Sequence, residues 1–158
     1  MVTPLPMPAN SNRPDAEHPG EGRISKALAR AEAAVANLAE DYASWALADV
    51  AKARAALAAA IDDPAGREPY IDALFRVGHD LKGQGTSFGF PLVTKIGHSL
   101  CALTRDRARQ YDSKHLDLVR SHLDAIDLIL TKGIRGEGGK LGADLVAKLE
   151  SRVAELLG

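Results

Sequence analysis

From Arg23 onward, apolar residues recur along the chain at helical spacing. Leu28, Val35, Leu38, Tyr42 and Trp45 return at intervals of three, four or seven, and Val50, Leu57 and Ile61 continue the stripe. That period describes a helix with one buried face, and it places Trp45 in the core. An unbroken helix over this span would be about 57 Å long, nearly twice the length of the later ones. The pattern therefore predicts a break near Asn37 to Asp41, because Asn and Asp prefer caps to helix interiors. Asp62-Asp63-Pro64-Ala65-Gly66 closes the segment as a turn. A second helical period follows, with Tyr70, Leu74, Val77, Leu81 and Phe88 on one side. Phe88-Gly89-Phe90-Pro91 turns the chain, and Pro91 suits the first turn of a helix carrying Leu92, Val93, Ile96, Leu100 and Leu103. Asp112 or Ser113 caps the next, whose Leu116, Val119, Leu123, Ile126 and Leu130 follow 3,4,3,4 spacing. A Gly-rich loop over 132–139 leads to a last amphipathic helix marked by Leu145, Leu149, Val153 and Leu156. No alternating strand pattern competes. The expected fold is all-α, an antiparallel four-helix bundle with additional N-terminal and C-terminal helices.

Composition narrows the function classes. With 158 residues the chain is expected to hold one domain, leaving no room for a second catalytic one. The expected layout is a Pro-rich disordered tail over 1–22, a bundle over 23–131, the loop, and a helix over 140–158 that packs on or extends the bundle. The tail holds five of the eight prolines and lacks both a basic stretch and a continuous apolar run. It does not read as a secretory signal, and a cytoplasmic location is expected. A formal net charge of −1 speaks against a nucleic-acid partner, and no apolar run is long enough for a membrane. A single cysteine, Cys101, excludes an intramolecular disulfide.

The second helix carries the candidate chemistry. Opposite its apolar side lie Asp72, Phe75, Arg76, His79, Lys82, Gly83 and Thr86. An outward imidazole at mid-helix, with an ammonium one turn on, is open to another macromolecule. Gly83 is informative, since a mid-helix Gly costs about 1 kcal/mol relative to Ala and is usually kept for close approach of another body.

His79-x-x-Lys82-Gly83, with Gly89 ten positions after the histidine, resembles the histidine phosphotransfer (HPt) domain of bacterial two-component phosphorelays. The helical pattern fits such a domain over roughly 22–131. The resemblance implies that His79 is the phosphoacceptor and that Lys82 steadies phosphoryl charge. It further implies that Gly83, Phe75, Arg76 and Thr86 form the face on which a receiver docks. The partners implied are a response regulator receiver domain and a histidine kinase or hybrid kinase. The receiver would supply the aspartate and the Mg²⁺, so the chain needs no cofactor of its own.

In a helical hairpin turning at Phe88-Gly89, His98 is as far from the turn as His79. It is either an orienting residue or an ordinary half-buried histidine. Phosphotransfer domains of chemotaxis kinases, which the chain resembles here, have a histidine at this offset and an acidic or amide residue one turn on; here that position is Cys101. Gln84, toward the edge of the core-facing side, reaches either the site or nearby backbone. Gly78 and Gly85, seven apart, permit tight helix contact, and Thr86 and Ser87 support the turn. His115 and His122 share a face without enough further ligands for a metal site, so none is expected. Cys101 reads as a small buried hydrophobe. No GxxxxGK[ST], HExxH or GxSxG motif is present, so no ATP-dependent activity is expected. Two functions remain: a phosphorelay intermediate working through His79, or a non-phosphorylated module of the same shape that docks and sequesters a receiver or kinase.

Overall fold

The structure, a computed structural model of the chain, describes residues 3–4 and 19–158. The tail expected over 1–22 thus lies mostly outside the described residues, and its last four residues already belong to a helix. The elements in order are α1 (Pro19–Asp62), a 3-10 turn (Pro64–Gly66), α2 (Glu68–Gln84), a second 3-10 turn (Thr86–Phe88), α3 (Pro91–Thr104), α4 (Ser113–Lys132) and α5 (Gly139–Leu157). Among the described residues there is no strand, and the all-α bundle stands. The chain divides into two compact units, Met1–Val35 and Ala36–Gly158. In the first, Pro19–Val35 is the N-terminal part of α1; the second holds the rest.

The expected break at Asn37 to Asp41 does not occur, and α1 is one helix of 44 residues. The additional N-terminal helix is therefore an extension of α1. Asn37 and Asp41 are both exposed, so each costs the helix only its propensity, a few tenths of a kcal/mol, which the surrounding alanines offset. Trp45 also departs from expectation, being 60% exposed, and Leu38 and Ile61 are exposed as well. The face of α1 that enters the core is Ala39, Tyr42, Ala46, Val50, Ala53, Leu57 and Ala60. Four of these seven residues are alanines. Tyr42 stacks on Phe88 with ring centroids 4.7 Å apart. Burial pushes its hydroxyl up to about 12.

The core is completed by Ile71, Leu74 and Leu81 of α2, by Leu92, Val93, Ile96, Leu100 and Leu103 of α3, and by the apolar faces of α4 and α5. The ends of α3 and α4 have local causes. Pro91 opens α3, Asp112 caps α4 by accepting from the His115 backbone N–H, and Gly133 ends α4 in the left-handed region. α5 packs on α3 and α4, with Leu149 and Val153 buried.

His122 is a buried member of this core. Its Nδ1 lies 2.7 Å from the carbonyl of Leu118 and must donate to it. Nε2 lies 2.9 Å from Ser99 Oγ, whose hydroxyl donates to it in the neutral ring. Burial lowers its pKa below the ordinary 6.5. The unfolded chain therefore binds a proton that the folded chain refuses, and stability rises with pH across this window. His122 destabilises the fold progressively as pH drops below about 6.5. The urea midpoint is expected to fall between pH 7 and pH 5, and the part due to His122 should be missing in His122→Asn.

Candidate functional site

α2 and α3 form an antiparallel hairpin whose register is set by three glycines. A Cβ added at Gly78 would meet Cys101 Sγ and Leu100 Cγ at 3.3 Å. One at Gly85 would lie 2.7 Å from Thr94 Oγ1 and 2.8 Å from the carbonyl of Phe90. One at Gly97 would lie 2.8 Å from the Lys82 amide nitrogen and 3.0 Å from the carbonyl of Gly78. The hairpin therefore pairs Gly78 with Cys101, Lys82 with Gly97 and Gly85 with Thr94. Thr94 Oγ1 also accepts the amide of Thr86 at 2.8 Å and lies 2.9 Å from its hydroxyl. Gly89 closes the turn with a φ of 87°, a conformation glycine adopts freely.

This backbone frame holds His79 on the outer side of α2, with its side chain 69% exposed. Asp80 Oδ1 lies 3.9 Å from its Nδ1, too far for a hydrogen bond but on that nitrogen's side of the ring. Among the described residues, no group hydrogen-bonds Nε2. Phe75, one turn earlier, is half-buried, with its ring centroid 6.2 Å from that of the imidazole. Lys82, one turn later, is half-buried. Arg76 is held by Asp72 at 3.0 Å, and Asp72 also meets Arg107 at 3.4 Å. Gly83 faces open space, with nothing within 4 Å of an added Cβ. Thr86 is exposed, its hydroxyl turned to Thr94. His79, Phe75, Arg76, Lys82, Gly83 and Thr86 thus lie along one side of α2 and the turn after it.

The two remaining candidates stand apart. The glycine pairing puts the midpoint of the hairpin between Gly89 and Phe90, so Leu100, rather than His98, is level with His79. His98 is exposed, and no hydrogen bond joins it to His79 among the described residues. Gln84 is exposed, beyond the core edge where it was expected, and its side chain makes no hydrogen bond among the described residues. Cys101 is buried against Gly78, with its Sγ 3.9 Å from the Phe75 carbonyl. Burial raises its thiol pKa above the usual value, as befits a small hydrophobe. His115 and His122 are both buried in α4. The backbone N–H of His115, and after it the His115 ring with Nδ1 2.7 Å from Oδ1, hold the Asp112 carboxyl below its ordinary range. Among the described residues no cluster suits a metal ion, and no helix is long and apolar enough to cross a membrane.

The one group sequence reasoning missed is Asp80. Adjacent residues on a helix do not normally face each other, so spacing gives no reason to pair it with His79.

The fold is thus an all-α bundle in which His79 is exposed on α2 beside Lys82 and the open Gly83. The chain matches the model of the Hpt domain over residues 37–128, more than half of its length. It belongs to the Hpt domain family, the phosphocarrier modules of two-component phosphorelays. Neither the curated proteins nor the solved structures give a match to the chain.

The open space at Gly83 has a direct test. Gly83→Ala is expected to raise unfolding stability by up to about 1 kcal/mol, since it improves helix propensity and clashes with nothing inside the chain. It is expected to slow phosphoryl transfer if a partner docks over this face. Thermal melts and transfer time courses check both halves; lower stability would mark the glycine as structural.

Proposed function

We propose that the chain is a phosphorelay intermediate in which His79 accepts a phosphoryl group from a phospho-aspartyl receiver domain or a kinase and hands it to the receiver of a response regulator. The observation that carries this reading is His79 itself, exposed on α2 with its Nε2 unengaged. Nε2 attacks the phosphorus of the acyl phosphate. The N–P bond forms as the P–O bond breaks, and the aspartate leaves as a carboxylate with the electron pair. Transfer in the other direction reverses these changes. Such reactions depend mainly on positioning and electrostatics, with little covalent work left to the protein.

Each neighbour has a part in this. Lys82 offers a point charge to the phosphoryl oxygens. Asp80 lies on the Nδ1 side, facing the positive charge that develops on the ring as Nε2 is phosphorylated. Both act at an exposed surface, so their effect is screened until the receiver covers the site. Gly83 gives the receiver backbone room, and Phe75 supplies an apolar edge beside the imidazole. Arg76, fixed by Asp72, and Thr86 extend the docking face. A cytoplasmic location follows from the proposed partners.

The reading predicts that the purified chain does not label itself with ATP and Mg²⁺. It should gain label when a kinase with its receiver, or a receiver already phosphorylated on aspartate, is added. Label acquired from ATP alone would contradict it. Receiver binding without any transfer would favour the sequestering module instead.

A further inference from the structure

A pocket of about 380 Å³ lies where the 3-10 turn after α1, the start of α2 and the segment between α3 and α4 meet, all within the second compact unit. Three arginines line it, Arg67, Arg107 and Arg109, against one carboxylate, the exposed Glu68. Their charge is poorly offset. Among the described residues neither Arg67 nor Arg109 pairs with a carboxylate. Arg107 has only a share in Asp72, 3.4 Å away, which also holds Arg76 at 3.0 Å. This cationic excess is local, since the whole chain carries a formal net charge of −1.

The walls of the pocket are already fixed. Arg67 donates from Nε to the carbonyl of Ala60 and from Nη1 to that of Tyr111, tying the end of α1 to the segment before α4. The Tyr111 hydroxyl lies 2.9 Å from the carbonyl of Asp106 and 3.1 Å from that of Leu103. Asp106 Oδ1 in turn accepts the Ala108 amide at 3.1 Å, so the loop bearing Arg107 and Arg109 is held in place. Arg109 is the group left without a partner. Its Nε is buried and makes no hydrogen bond among the described residues, whereas buried donors in folded proteins are nearly always paired.

We infer that this pocket binds a small phosphomonoester, whose phosphoryl group takes up the Arg109 guanidinium with Arg67 and Arg107 beside it. A guanidinium fork matches two phosphoryl oxygens at once, which a single ammonium cannot do. Three arginines facing one exposed carboxylate favour a dianion over a singly charged carboxylate ligand. The pocket is larger than a bare phosphate needs and falls within the range of small-molecule sites, about 300–1,000 Å³. Ile71 and Pro64 on its wall offer an apolar surface to a compact organic part. Because the walls are fixed before the ligand arrives, little ordering opposes binding. Neither His79 nor Lys82 lines the pocket, so binding is readable without any transfer step.

The test follows the arginine Nε–H signals of the isotope-labelled full chain by nuclear magnetic resonance during titration with glycerol phosphate, with sodium chloride at equal ionic strength as the control. The Arg109 signal, identified by its loss in Arg109→Lys, should move saturably with a Kd of about 1 mM or tighter. Arg109→Gln should weaken binding, read at the Arg67 signal, by about tenfold or more. Arg109→Lys keeps the charge without the fork, and it should weaken binding as well. Lys148→Gln, which removes one positive charge from α5, should leave the affinity unchanged. Equal affinity in wild type and Arg109→Gln, or an equal loss in Lys148→Gln, overturns the inference. So does an Arg109 signal that chloride moves as far as glycerol phosphate does. An Arg109 signal that never moves also overturns it, and leaves solvent as the partner of Nε.

Discussion

Replacing His79 by Gln is expected to abolish phosphoryl acceptance while leaving the fold unchanged. The imidazole offers an unengaged nitrogen nucleophile on the outward side of α2, whereas the neighbouring Lys82 is a charged amine. The side chain is 69% exposed and its nearest charged neighbour, Asp80, is 3.9 Å away, so its loss removes no buried contact. Exposed substitutions of this sort usually change stability by about 0.5 kcal/mol or less. Transfer should fall below detection, whereas the circular dichroism melt and the affinity for a receiver should stay near those of wild type. Residual transfer at a substantial rate would move the phosphoacceptor elsewhere, and His98 would be the next residue to replace.

A large loss of stability is expected from Gly97→Ala, a change that an exposed helical glycine such as Gly83 would welcome. Here the added carbon meets the backbone of α2, 2.8 Å from the Lys82 nitrogen and 3.0 Å from the Gly78 oxygen. Neither atom can swing away as the end of a side chain would. The helices must separate, and overpacking of this kind costs about 1–3 kcal/mol, more than the helix-propensity gain of up to about 1 kcal/mol offsets. Because the strain falls on the turn of α2 that carries His79 and Lys82, transfer should slow as well. Urea titrations and transfer time courses on Gly97→Ala and Gly83→Ala together should give stability changes of opposite sign. Gly97→Ala more stable than wild type would mean that the α2–α3 contact is looser than the glycine pairing indicates.

Those two glycines show where the sequence is legible and where it is not. Gly83 stands out because it follows His79 by one turn on an outward face, and its surroundings are solvent. Gly97 carries no such cue, since what it touches is the backbone of another helix, which no local spacing records. The same limit explains α1. A hydrophobic stripe is weighted by its largest members, which drew Leu38 and Trp45 into the expected core. The face actually buried is made of Ala39, Ala46, Ala53 and Ala60 around Tyr42, Val50 and Leu57, whose alanines carry little signal in a pattern. Helix ends were readable because Pro91, Asp112 and the glycines after α4 act through local backbone chemistry. The α2–α3 register was readable only to within about two residues, and that shift is what separates His98 from the level of His79. The order of His79, Lys82 and Gly83 along one face needed only the period of a helix, and there the reading of the residues and the geometry agree.

The most direct measurement of the central claim is the chemical identity and position of the transferred group. The chain is incubated with a receiver carrying labelled phosphate on its aspartate, and the labelled product is treated with acid and with base and then mapped by peptide mass spectrometry. Phosphorylation through nitrogen predicts label that is lost in acid, survives base and resides on the peptide containing His79. Label that survives acid, or that maps to any other residue, would contradict the account.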